Sequence, residues 1–142
     1  GPFLFENTGG KGTTLGKEFS ELREMFDRPE TPEDDLGVCI DTCHAHAAGY
    51  DLVDEFDEVL EELDADLGIE NVEVLHLNDS KDALSSEKDN HEHIGEGEIG
   101  DEGFRNVVNA DEFEDLPMVL ETPTSDGKSY KENIERIRSL VS

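Results

Sequence analysis

Residues 37–44 read Gly37-Val38-Cys39-Ile40-Asp41-Thr42-Cys43-His44. A short apolar run, β-branched at Val38 and Ile40, stops at a carboxylate, and an imidazole follows three positions later. The run reads as a strand. Three others share its character: Phe3-Leu4-Phe5, Val72-Glu73-Val74-Leu75-His76-Leu77 and Met118-Val119-Leu120. Each is rich in β-branched or aromatic residues and bounded by Gly, Asn, Asp or Pro.

Between these runs the apolar residues change to a helical period. Leu15, Phe19, Leu22 and Phe26 recur at four, three and four. Leu52, Phe56, Val59, Leu60, Leu63 and Leu67 keep one face after Asp51, which is expected to cap the helix. Phe104, Val107 and Val108 form a shorter stripe after Asp101. Tyr130, Ile134, Ile137 and Val141 form the last, opened by a capping-box pattern at Ser129-x-x-Glu132. Strand and helix alternate four times, the pattern of an α/β fold with a parallel sheet and right-handed crossovers. Residues 78–98 break the rhythm, with no strand or helix expected, and a loop of that length in a compact domain is usually functional or disordered.

The 142 residues amount to one domain and carry 38 acidic against 11 basic side chains, a formal charge of −27. That balance excludes a protein that grips nucleic acid through a broad basic face. Self-repulsion at this density destabilises a compact state in dilute buffer and is screened in molar salt, so the chain is expected to be salt-adapted. Two cysteines are too few for a disulfide framework. With neither a long apolar stretch nor a signal-like segment, a soluble, cytoplasmic protein is expected. The chain opens on Gly1-Pro2 and runs straight into an apolar segment, as an excerpt of a longer chain would.

Each strand has a ligand-type residue at its carboxyl end: Glu6, Asp41, His76 and Glu121. Those ends converge in a parallel βα fold, and active sites sit there. Acidic residues make up about one position in four here, so a single acid at a strand end means little. Three acids and a histidine at four equivalent places point to a divalent cation such as Zn²⁺ or Mn²⁺, which relieves their mutual repulsion. His44, three residues after Asp41, and the pair Asp89 and His91 would supply a further site. His46 and His93 read as packing or supporting residues. Cys39 and Cys43 read as small buried hydrophobes rather than zinc thiolates. Gly9-Gly10-Lys11-Gly12-Thr13 lacks the order and spacing of a phosphate loop.

Six motifs, in order, carry a resemblance. They are Phe5-Glu6-Asn7-Thr8 with Gly10 and Gly12, Gly37 to His44, and Ala47-Ala48-Gly49-Tyr50-Asp51. Then come His76-Leu77-Asn78-Asp79-Ser80-Lys81, His91-x-x-Ile94-Gly95-Glu96-Gly97-x-Ile99-Gly100 and Leu120-Glu121-Thr122-Pro123. Together they resemble endonuclease IV, the family of zinc-dependent apurinic/apyrimidinic endonucleases (deoxyribonuclease IV) of base-excision repair. The resemblance implies a TIM barrel with a trinuclear zinc site that hydrolyses the phosphodiester 5′ of an abasic site in double-stranded DNA. Residues 1–142 would form its C-terminal half, about four βα units with residues 78–98 as a metal-binding loop. By the same resemblance Glu6 bridges two zincs, and Asp41, His76 and Glu121 complete one of them. His44, Asp89 and His91 hold the third. Glu6 and Glu121 are the implied catalytic residues, and Asn7, Asn78 and Lys81 the implied substrate contacts.

Some positions depart from the family pattern. Gly9-Gly10-Lys11 stands where Ala-Gly-Gln is usual, Asn90 where many members have Arg, and His46 where Phe is common. Two further zinc-binding histidines belong to the family's N-terminal half, so two or three zincs are expected, with one site incomplete in this chain. Two alternatives stay open. One is a sugar isomerase or epimerase of the xylose-isomerase-like barrels, using the quartet around one Mn²⁺ or Mg²⁺. The other is a half-barrel inactive by itself, whose two open strand edges require an N-terminal half or a twin copy.

Overall fold

The computed structural model describes residues 3–7, 18–27, 36–124 and 130–142. The glycine-rich stretch at 9–13, Leu15 and Ser129 lie outside the described residues. The four apolar runs form strands β1 (Phe3–Glu6), β2 (Leu36–Asp41), β3 (Val72–His76) and β6 (Met118–Val119). They pair in the order β1-β2-β3-β6, every pair parallel. Between and after them lie helices α1 (Phe19–Phe26), α2 (Thr42–Ala48), α3 (Phe56–Asp66), α4 (Gly100–Val108) and α5 (Tyr130–Leu140). The architecture is that of a parallel α/β partial barrel.

Alternation along β2 sorts its side chains. Val38 and Ile40 join the apolar core, which Phe19 and Leu22 of α1, Val59 and Leu63 of α3, and Phe104 and Val107 of α4 also enter. Cys39 and Asp41 take the opposite parity. A register irregularity between Val38 and Cys39 skips one residue of β3, so Ile40 lies beside Leu75 and Asp41 beside His76. Without it the two ligand-type residues would fall out of step, because a one-residue slip turns every side chain to the other face.

Three local expectations are corrected. The second helical stripe becomes helical at Phe56, not after Asp51. The Asp51 carboxylate instead accepts from Val53 and Asp54 N–H at 2.9 and 3.0 Å, which satisfies a turn before the helix. The segment 78–98 contains a small antiparallel ribbon, β4 (Asp79–Ser80) with β5 (His91–Glu92). These strands are too short to leave an apolar signature.

The third correction concerns α5, which buries its apolar stripe only in part: Ile137 packs against the core. Tyr130, Ile134 and Val141 are 44%, 38% and 55% exposed, whereas Asn133 and Leu140 are buried. Asn133 turns the helix: its Oδ1 accepts from Ile94 N–H at 2.8 Å and its amide nitrogen lies 3.0 Å from His93 Nδ1. Left unpaired, each of those buried polar groups would cost about 1–3 kcal/mol. No helix among the described residues is long and apolar enough to cross a membrane.

Candidate metal centre

Two buried asparagines tie the strand ends together. Asn7, directly after β1, donates from Nδ2 to the Asp41 carbonyl at 3.1 Å and accepts the Asp41 N–H at 2.7 Å. Asn78, just beyond β3, donates to Asp41 Oδ2 at 3.0 Å and accepts the Glu121 N–H at 2.8 Å. Thr42 Oγ1 adds a bond to the Asn78 carbonyl at 2.8 Å. The carboxyl ends of β1, β2, β3 and β6 are thereby fixed to one another, and Asp41 sits fully buried at the middle. The other oxygen of Asp41 accepts from His44 N–H at 3.1 Å, capping α2, so the residue that ends the strand also starts the helix. Gly49 ends α2 in the left-handed region, at φ 108°.

This frame brings all seven expected ligands into two groups. In the first, His76 Nδ1 lies 2.8 Å from Glu121 Oε1, 3.5 Å from Glu6 Oε2 and 3.8 Å from Asp41 Oδ2. In the second, His44 Nε2 and His91 Nε2 stand 3.0 and 3.1 Å from the same oxygen, Asp89 Oδ1. Within each group the ligand atoms all fall inside 4.8 Å of one another. Glu6 Oε2 is 3.3 Å from His44 Nδ1 and so lies between the groups.

The hydrogen-bond geometry suits a cation better than it suits the side chains themselves. His76 Nδ1 and His91 Nε2 are buried nitrogens that make no aligned hydrogen bond among the described residues, although carboxylate oxygens stand at 2.8 and 3.1 Å. The oxygens are close but off the nitrogen's axis, as ligands sharing a central ion are. The second group is also oriented from behind: His44 Nδ1 lies 2.8 Å from the Asn7 carbonyl and His91 Nδ1 lies 2.9 Å from the Glu121 carbonyl. A ring that donates from Nδ1 to a carbonyl presents Nε2 as a lone pair.

The electrostatics agree. Burial raises the Asp41 carboxyl despite the nearby His44. Burial also acts against ionising Glu6, but His44 and His76 outweigh it and hold Glu6 below the usual carboxylate range. For His44, burial opposes the charged ring, yet Glu6, Asp41 and Asp89 carry it up to about 10. A positive charge is thus favoured at the place where a divalent ion would sit.

Residues 2–140 match the family model described as the xylose isomerase-like TIM barrel. The chain belongs to that family. Within it, the chain is similar to proteins named probable endonuclease 4. That of Clostridium botulinum (strain Alaska E43 / Type E3) is 47% identical over 136 residues, with 96% of this chain and 48% of that protein covered. That of Natronomonas pharaonis is 48% identical over 139 residues, covering 96% and 49%. Among solved structures, endonuclease IV from Thermus thermophilus superposes with a TM-score of 0.81 at 40% identity, covering 96% of this chain and 47% of that one. The chain spans about half the length of the curated relatives it matches. Its four parallel strands correspond to half of the family's eight-stranded barrel.

The remaining residues singled out in the sequence lie around this candidate centre. His46 is buried and its Nε2 lies 2.9 Å from the Asp82 carbonyl, and His93 is buried against Asn133; neither belongs to a ligand group. Asn7 and Asn78 are fully buried and spend their amides on the strand ends, while Lys81 is exposed. Both thiols are buried among the core residues, as expected of small hydrophobes, and both stand beside the ligand groups. Cys39 Sγ borders Glu6 and His76, and Cys43 Sγ borders Asp41 and His91. Burial, with the surrounding carboxylates, pushes each thiol up to about 12. Sequence reasoning missed Asp79 and Asn133 as organisers; only the glycine spacing at 95, 97 and 100 signalled that a backbone must pass close to something.

Proposed function

We propose that this chain is the C-terminal half of a zinc-dependent endonuclease of base-excision repair, hydrolysing the phosphodiester 5′ of an abasic site in double-stranded DNA. The observation that carries the reading is the second ligand group. A sugar isomerase built on the quartet Glu6, Asp41, His76 and Glu121 needs one ion and has no use for His44, Asp89 and His91. Carboxylate and imidazole donors at these spacings fit Zn²⁺. Glu6, Asp41, His76 and Glu121 would hold one ion and His44, Asp89 and His91 another. Bound there, zinc supplies an acidified water at neutral pH and a positive field for the phosphate.

The chain's own residues do the rest. Glu6 and Glu121 have half-exposed carboxylates on the open side of the centre, placed to accept a hydrogen bond from the attacking water and orient it. Asp41 is sealed beneath them and serves as an anchor. Asn7 and Asn78 keep the four strand ends in register, so the carboxylates meet substrate already arranged. Lys81, next to the ribbon, offers a cation to the DNA backbone. An abasic nucleotide has no base to unstack, which lowers the cost of drawing it into such a centre.

The test is zinc stoichiometry together with cleavage of an abasic-site duplex, for this chain alone and after addition of an N-terminal half-barrel. Two zincs per chain, with nicking weak alone and strong when the barrel is complete, is the expected result. One ion per complete site with no nicking favours the isomerase. Efficient nicking by the pure monomer contradicts the requirement for a second half.

A further inference from the structure

Asp79 opens β4 and is fully buried. Its carboxyl oxygens accept only from backbone in the bonds that define its setting. Oδ1 takes Ser80 N–H at 2.8 Å and Ile99 N–H at 2.9 Å; Oδ2 takes Gly95 and Gly97 N–H at 3.0 Å each. Gly100 N–H reaches both oxygens, at 3.4 and 3.2 Å. Four of these five donors come from one segment, 95–100, which joins β5 to α4. Its last donors sit at the N-terminus of α4, where Ile99 provides no side-chain cap. Asp79 therefore caps α4 from 20 positions away.

The glycines follow from that wrapping. A Cβ on Gly97 would collide with the Ser80 carbonyl oxygen and Asp79 Oδ1, and Gly95 turns through φ 84°. The ribbon carries the effect to the metal centre. Ser80 pairs with His91 and Asp79 with Glu92, Lys81 N–H donates to the Asn90 carbonyl at 3.0 Å, and Glu98 N–H donates to the Ser80 carbonyl at 2.8 Å. The chain on both sides of His91 is thus fastened to Asp79 and its two successors.

We propose that Asp79 is the positioning residue of the second cation group: by gathering the amides of 95–100 it fixes β5, and with it His91 and Asp89. The proposal rests on the reading of His44, Asp89 and His91 as cation ligands. Asn7 and Asn78 tie the first group together, and the carbonyls of Asn7 and Glu121 also back His44 and His91, so losing the Asp79 carboxylate frees β5 while the first group stays in place.

The experiment titrates Zn²⁺ into the full chain, Asp79→Asn and Gly97→Ala, and follows amide hydrogen exchange in each. Asp79→Asn is expected to keep one ion with unchanged affinity and to weaken the other by at least about 10-fold. Exchange protection should fall at Gly95, Gly97, Ile99 and Gly100 and persist in β2 and β3. Gly97→Ala, which displaces the same segment while leaving the carboxylate intact, should reproduce the selective loss. Two ions bound equally well by the wild type and both variants overturn the role of Asp79 alone. Loss of both ions together with β2 and β3 protection also overturns it, showing a merely structural residue. A wild-type chain that binds fewer than two ions overturns the cation reading beneath it.

Discussion

Asp41→Ala is expected to cut zinc affinity at the first group by at least about 100-fold and to lower the stability of the metal-free chain by about 1–3 kcal/mol. The two effects come from the two oxygens. Oδ2 faces His76 and is the innermost oxygen of the quartet, so its loss removes a ligand that no neighbour can replace. The same oxygen holds the Asn78 amide, which would be left buried and unpaired. Oδ1 caps α2, and the cap goes with it. Relief of a desolvated carboxyl offsets part of the stability cost, since burial raises Asp41 in the native state. Calorimetric zinc titration and urea unfolding measure the two losses. Zinc affinity equal to wild type would show that Asp41 is a structural cap only.

Zinc affinity at the second group is expected to rise about tenfold per pH unit between pH 6 and 8. His44 must shed its proton before Nε2 can bind an ion, and its neighbours hold that proton to about 10. Stability of the metal-free chain has the opposite sign. A histidine whose native value exceeds its unfolded value stabilises fully below about 6.5 and loses that contribution as pH rises through about 10. So alkaline conditions weaken the metal-free fold while strengthening cation binding. Titrations in buffers of differing ionisation heat should show close to one proton released from His44 per ion. Affinity flat across pH 6–8 contradicts the placement of His44 in the group.

The sheet was legible because its strands are short apolar runs with ligand residues at their ends, but the register shift at Val38/Cys39 that sets Asp41 beside His76 has no sequence signature. Other features were hidden for physical reasons. The buried face of α5 is set by the Asn133 amide, whose value lies in satisfying Ile94 and His93 rather than in its hydropathy. The start of α3 depends on whether Asp51 caps a turn or a helix, and its local sequence permits both. The β4–β5 ribbon is two residues per strand, tied to the 95–100 segment by the carboxylate of its own Asp79, and long-range capping of α4 leaves no nearby signature. The seven ligand-type residues were legible in their two groups, of four and three. That His44 and His91 share the Asp89 oxygen required the fold.

The most direct measurement is anomalous diffraction at the zinc absorption edge, from crystals of the chain grown with zinc. Two peaks are expected. One should lie within coordination distance of Glu6, Asp41, His76 and Glu121, and one within that of His44, Asp89 and His91. A single peak, or peaks away from the carboxyl ends of the strands, would contradict the two-ion reading.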